Sequence, residues 1–81
     1  MDSHVPLHAS VALLTDVAVT HFESAIPMML QRGDSGTVVA VYENGDCEVE
    51  FADRNGRTYA MLPIPAESLL VLREVPESAV R

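Results

Sequence analysis

The stretch TVVAVYENGDCEVEF, residues 37–51, decides the fold of this chain. Its first part is rich in valine and ends in tyrosine, and both residue types favour extended strands. Asn44-Gly45 follows, and this pair is the strongest short-range signal for a two-residue hairpin turn. The return segment, residues 47–51, alternates apolar and acidic residues strictly. The stretch therefore predicts a β-hairpin with one buried face and one outward face.

Strand and turn signals continue on both sides of this hairpin. Asn55-Gly56 marks a second tight turn, and residues 57–62 predict the third strand of a meander. Pro63 and Pro65 are expected to end that strand, because proline cannot donate a hydrogen bond to a ladder. Residues 16–20 and 70–72 predict the first and last strands.

Two more segments complete the predicted fold. Gly33 and Gly36 predict a turn, because glycine can adopt a positive φ where other residues pay a steric cost. Residues 65–69 predict one 3-10 or helical turn before the last strand. Five short strands, two hairpins and this turn predict a mainly β fold, namely a small five-stranded SH3-like barrel.

The length of 81 residues allows one domain. Residues 1–10, with Pro6 and scattered polar residues, show no periodicity and predict a flexible N-terminal tail. Residues 11–73 form the predicted barrel domain, and residues 74–81 a C-terminal tail.

Strand alternation divides the meander into two faces. The predicted core face holds Val38, Ala40, Tyr42, Cys47, Val49, Phe51, Ala60 and Leu62, and is closed by Val17, Val19 and Leu70. The opposite face mixes acidic and apolar residues, and we predict it as the partner interface: Val39, Val41, Glu48, Glu50, Tyr59 and Met61. Two explanations for its apolar residues stay open. Either the chain's own residues 21–30 cover this face, or a protein partner or a second copy does.

The charge balance disfavours some classes of partner. Twelve acidic residues face five arginines and no lysine, for a formal charge of −7. This charge opposes binding to nucleic acids and to anionic membranes and suits a basic protein partner. The single cysteine excludes an internal disulfide, which fits a reducing cytoplasmic compartment. No apolar run is long enough to span a membrane, and the first ten residues lack the basic character of a secretory signal.

Motifs for catalysis are absent from the sequence. It has no glycine-rich phosphate loop, zinc-protease helix, dithiol pair or nucleophile elbow. Cys47 falls on the core face beside Asp46, where a reactive thiolate is disfavoured. The histidines His4, His8 and His21 are too few and too scattered for a structural zinc site. We therefore predict no catalytic residue, no cofactor and no metal, and hence no enzyme activity.

Several motifs in order resemble a known family. These are Gly-Asp-Ser-Gly-Thr-Val-Val at residues 33–39, Glu-Val-Glu-Phe at 48–51 and Thr-Tyr-Ala at 58–60. Together they resemble a family of short bacterial proteins described as a domain of unknown function, over residues 14–72. The resemblance implies an SH3-like β-barrel without catalytic residues. Some members look like small partners of neighbouring proteins, in the manner of antitoxin or immunity proteins.

The sequence thus predicts a non-catalytic protein-interaction module, of antitoxin or immunity type. One alternative is a KOW-like RNA-binding or ribosome-associated module, which Arg32, Arg54 and Arg57 favour and the net charge opposes. The other alternative is an accessory subunit of an enzyme complex.

Overall fold

The computed structural model describes residues 5–73, so His4 and the predicted C-terminal tail at 74–81 lie outside the described residues. The described residues form seven strands and a 3-10 turn at Ala66–Ser68. The strands are β1 Ser10–Leu13, β2 Val17–Thr20, β3 Pro27–Leu30, β4 Ser35–Val41, β5 Asp46–Ala52, β6 Thr58–Pro65 and β7 Leu69–Arg73. The predicted mainly β class and the turn before the last strand are confirmed. None of the helical structure in residues 5–73 has the length and apolar character that crossing a membrane requires.

The strands form two antiparallel sheets. The larger sheet has five strands in the order β6-β5-β4-β1-β7, and β2 pairs with β3 in a separate sheet. Both sheets are open in the described part of the chain, with β6 and β7 as the two edges of the larger one. The predicted first strand is β2, whereas β1 was not predicted. Its sequence, SVAL, is buried along most of its length and so shows no alternation to recognise.

The residues before β1 pack into the fold. Val5 and Ala9 are buried. The His8 N–H donates to the Val38 carbonyl at 2.8 Å, and the Val38 N–H donates to the Ala9 carbonyl at 3.0 Å. The sequence places these residues in a tail, but their backbone bonds extend the contact between β1 and β4.

The core lies between the two sheets and agrees in part with the predicted core face. Five of the predicted residues are fully buried: Val38, Cys47, Val49, Phe51 and Ala60. Val17, Val19, Ala40 and Leu62 are half-buried. Core residues that were not predicted are Val5, Ala9, Val11, Ala12, Leu13, Leu30, Ile64 and Leu69. Leu70 was predicted to close the core, but it is 52% exposed because β7 begins at Leu69 and turns alternate residues inward.

A β-bulge corrects the predicted place of Tyr42. A two-residue turn would set Tyr42 opposite Cys47, but Val41 holds that position. The register shifts between Val38 and Ala40 and carries Tyr42 past the end of β4. Tyr42 is therefore 46% exposed and not part of the core.

Prolines do not end β6. The strand runs through Pro63 to Pro65, so the prediction that it ends before Pro63 was wrong. Because β6 is an edge of the sheet, a missing N–H on its free side costs no ladder bond.

Gly36 occupies a crowded position in β4. Gly33 adopts a φ of 94°, as its predicted turn requires. Gly36 does not use this freedom, since its φ is not positive and it lies within β4. A Cβ atom on Gly36 would lie 2.7 Å from the carbonyl oxygen of Glu50, so close approach of β5 requires glycine here.

Candidate functional site

The outward surface of β4, β5 and β6 combines apolar and acidic side chains; we call it the outer face. Its residues are Thr37, Val39, Ala40, Tyr42, Glu48, Glu50, Thr58 and Met61. Val39 and Val41 are 37% and 44% exposed. Glu50 lies opposite Thr37 on β4 and opposite Met61 on β6, so these side chains form one row across the sheet. Four of the six predicted interface residues share this face: Val39, Glu48, Glu50 and Met61. The bulge in β4 sets Val41 opposite the buried Cys47, so the prediction that Val41 shares the face of Glu48 was wrong.

The carboxylate of Glu48 is held by a tyrosine. The Tyr42 hydroxyl donates to Glu48 Oε1 at 2.8 Å. This hydrogen bond is the main cause that raises the pKa of Tyr42, followed by burial and by the charge of Glu48. The two residues flank the turn at Asn44-Gly45, a spacing that could have indicated the contact. The prediction that Tyr42 is a core residue hid it.

The carboxylate of Glu50 is held in the same way, by a hydroxyl group from the neighbouring strand β6. The Thr58 hydroxyl of β6 donates to Glu50 Oε2, and both side chains are half-buried. Two carboxylates on one strand face thus each accept a hydroxyl hydrogen bond. Such bonds reduce the rotamer freedom of the two acids before any partner arrives.

Tyr59 does not lie with the other predicted interface residues. The register of β5 and β6 shifts between Phe51 and Ala52, which leaves Tyr59 as an extra residue between Thr58 and Ala60. Its ring packs against the core, with its centroid 6.5 Å from that of Phe51. Burial, and then the charges of nearby aspartates, raise the pKa of Tyr59.

The hairpin of β2 and β3 lies over the core and leaves Val39 and Val41 accessible. Its inward side chains, Val17, Val19, Met28 and Leu30, pack against the core cluster. Near its tip, the Phe22 N–H donates to the Tyr59 carbonyl at 2.8 Å. Val39 and Val41 keep the exposure given above, so residues 21–30 do not bury these two side chains.

The cysteine and one of the histidines considered in the sequence, Cys47 and His21, make local structural contacts. Cys47 is buried, and burial followed by the charge of Asp46 raises the pKa of its thiol. Its Sγ lies 3.7 Å from the carbonyl oxygen of Gly45. The imidazole Nδ1 of His21 accepts the backbone N–H groups of Glu23 and Ser24 at 3.1 and 3.2 Å, which holds the hairpin loop.

The structure offers few alternatives to the outer face. Residues 5–73 hold no group of three or more His, Cys, Asp and Glu side chains that could bind a metal, and no pocket is found among them. Of the three arginines that favour RNA binding, Arg57 has its Nε 3.9 Å from Glu23 Oε1.

These features define a small, mainly β, acidic domain with a mixed apolar and carboxylate face. The chain belongs to the family described as domain of unknown function DUF4926, whose model matches residues 7–71. The resemblance to a family of unknown function is thereby confirmed. No curated protein and no solved structure matches the chain.

Proposed function

We propose that this domain is a non-catalytic protein-interaction module that binds a basic protein partner through its outer face. The observation that carries this proposal is the pair of fixed carboxylates. Glu48 and Glu50 accept hydroxyl hydrogen bonds from Tyr42 and Thr58 and lie on the same face as the exposed Val39.

A basic partner fits this arrangement for two reasons. Carboxylates that are already oriented lose little side-chain entropy when they bind an arginine or lysine, and arginine can contact a carboxylate through two hydrogen bonds. The net charge of −7 also speeds the approach of a positive partner at low salt. The neighbouring Val39 supplies an apolar contact that a purely electrostatic surface lacks.

A second copy of the chain is a poor occupant of this face. A twofold dimer brings the same patch of both copies together. Glu48 and Glu50 of one copy would then meet acidic side chains of the other, and like charges in contact oppose association. The charge of the face therefore favours a different protein.

The proposal includes an SH3-like fold and a cytoplasmic role of antitoxin or immunity type. The strand order, with β1 beside β7 and a 3-10 turn before β7, supports an SH3-like arrangement. The free thiol of Cys47 supports a reducing compartment. Neutralising a basic protein by covering its positive surface needs an acidic face and no catalytic group.

The test begins by identifying proteins that co-purify with the tagged full-length chain from its native host. Each identified protein is then produced separately and titrated by calorimetry against the wild type and the Glu48→Gln and Glu50→Gln variants. Each variant should weaken binding by about tenfold to a hundredfold, because a charge-assisted hydrogen bond contributes roughly 1.5–3 kcal/mol. Glu23→Gln, an equal charge change at the tip of the β2–β3 hairpin, should change affinity little.

Tyr42→Phe separates orientation from charge. It keeps the carboxylate of Glu48 but removes the hydroxyl that holds it, so affinity should fall severalfold while the salt dependence stays. A partner that binds both glutamine variants as tightly as the wild type would refute the proposed site. Recovery of RNA without a protein partner would favour the KOW-like alternative instead.

A further inference from the structure

The two edges of the five-stranded sheet differ in their capacity to accept another strand. Strand β6 carries Pro63 and Pro65, which have no N–H to donate. Strand β7, with the sequence LLVLR, contains neither proline nor an acidic residue, and within residues 5–73 it pairs with β1 alone. We propose that β7 of a second copy of this chain pairs with β7 in antiparallel orientation, forming a homodimer.

The ladder between β1 and β7 shows which backbone groups remain for a partner. The Leu14 N–H donates to the Ser68 carbonyl at 2.9 Å, so residue 68 directs this group toward the β1 side. Backbone groups along a strand alternate between its two sides. Leu70 therefore faces β1, and Val71 turns both its N–H and its carbonyl to the free edge. The N–H of Leu69 already donates to the Ala66 carbonyl, which leaves its carbonyl for the edge.

This alternation selects a register. Val71 of one copy pairs with Val71 of the other and exchanges two hydrogen bonds with it. Leu70 then lies opposite Leu72 of the second copy, and these two side chains are 52% and 54% exposed in the single chain. The dimer thus gathers four exposed leucines on one surface, where cross-strand apolar pairs stabilise a sheet.

Charge complementarity supports a second copy as the occupant. Each chain carries a formal charge of −7, but the only charged residue in β7 is Arg73. The ladder to β1 has a bulge at Leu72, since Val11 pairs with Val71 and Ser10 with Arg73. Arg73 follows this bulge at the end of the strand, so in the register centred on Val71 it lies near the 3-10 turn of the second copy, which carries Glu67. The twofold axis creates this contact twice, so the edge is self-complementary in charge as well as in apolar surface.

The dimer is independent of the proposed function. It uses the edge of β7, and the outer face on β4, β5 and β6 belongs to the other end of the sheet order. Loss of partner binding without loss of the dimer, or the reverse, distinguishes the failure of one proposal from that of the other.

The test is sedimentation equilibrium of the full-length chain between about 1 µM and 1 mM, a range that covers transient interfaces. The wild type should dimerise. Leu70→Glu should raise the dissociation constant at least about tenfold, because it sets a carboxylate against Leu72 of the second copy. Met29→Glu is the matched control, since Met29 is 57% exposed on β3 of the other sheet. The Met29→Glu variant should keep the dissociation constant of the dimer within about twofold of the wild-type value.

The Leu70→Glu/Leu72→Lys double variant tests the register itself. In the proposed pairing each introduced carboxylate faces an introduced ammonium, so the double variant should recover most of the lost affinity. A chain that stays monomeric throughout the concentration range would overturn the proposal. Hydrogen exchange on that monomer would show whether the chain's own residues cover the Val71 N–H, and this outcome overturns the proposal as well. A dimer that Leu70→Glu does not weaken, or that the second change does not restore, would also overturn it.

Discussion

Replacing Gly36 with alanine should destabilise the fold through one misplaced methyl group. The added Cβ would lie 2.7 Å from the carbonyl oxygen of Glu50, 0.7 Å short of the 3.4 Å at which ordinary contact begins. It would also lie 2.8 Å from Val49 Cγ1 and 3.0 Å from Phe51 Cδ2. Strand β5 is paired on both sides, so the Glu50 carbonyl cannot retreat without loosening the ladders to β4 and β6.

The magnitude follows from two opposed effects. Overpacking of a well-packed interior costs about 1–3 kcal/mol. Alanine restricts the unfolded chain more than glycine does, and this effect alone raises the free energy of unfolding by about 0.4–1 kcal/mol. The net loss for Gly36→Ala is therefore about 1–2 kcal/mol. In a domain of this size, that loss lowers the midpoint of thermal unfolding by roughly 4–16 °C.

Thermal and urea unfolding, followed by circular dichroism, measure this loss. Ser35→Ala is the local control, because Ser35 is exposed at the start of the same strand. Gly45→Ala is the control for backbone strain: Gly45 has a φ of 93° with nothing within 4 Å of its Cβ position, so its cost is conformational. A Gly36→Ala variant as stable as the wild type, or more stable, would refute the close approach of β4 and β5.

Three further outcomes test the core, the thiol and a turn. Phe51→Ala should cost about 3–5 kcal/mol in urea unfolding, because the ring is fully buried and leaves a cavity. The pKa of the Cys47 thiol is raised in the fold, so the unfolded chain loses this proton first, and stability should fall as pH rises above the ordinary value of 9.0. Urea midpoints between pH 7 and about pH 10 should therefore fall more for the wild type than for Cys47→Ala. Asp53→Ala should cost about 1 kcal/mol in the same assay, since Asp53 Oδ1 accepts the backbone N–H groups of Asn55 and Arg57 at 2.9 and 3.0 Å.

The central hairpin was predictable because its signals are local. Strict alternation in β5 gave the buried positions of Cys47, Val49 and Phe51, and Asn44-Gly45 gave the place of the turn between β4 and β5. Phe51 and Ala60 were predicted to share the core face across the second turn, and the two residues are paired and buried. Strand β1 gave no comparable signal, since burial on both sides removes the alternation that marks a strand.

The candidate site was predictable in its parity but not in its two tyrosines. Val39 and Glu48 point outward as alternation requires. Tyr42 and Tyr59 changed sides because β-bulges shift the register beside them. A bulge depends on how neighbouring strands twist and cross, which the order of residues within one strand does not specify. The hydrogen bond between Tyr42 and Glu48 follows from that shift. The spacing of the two residues about the turn was a signal for it, but the predicted register turned the Tyr42 side chain inward.

The prolines of β6 decide how far this molecule can assemble. A sheet that is open at both edges can add copies without limit, which is the geometry of a fibre. Pro63 and Pro65 leave part of the β6 edge without backbone donors, so a strand added there has fewer hydrogen bonds to form than one added at β7. The same two residues that interrupt a strand signal in the sequence therefore protect this edge against open-ended growth.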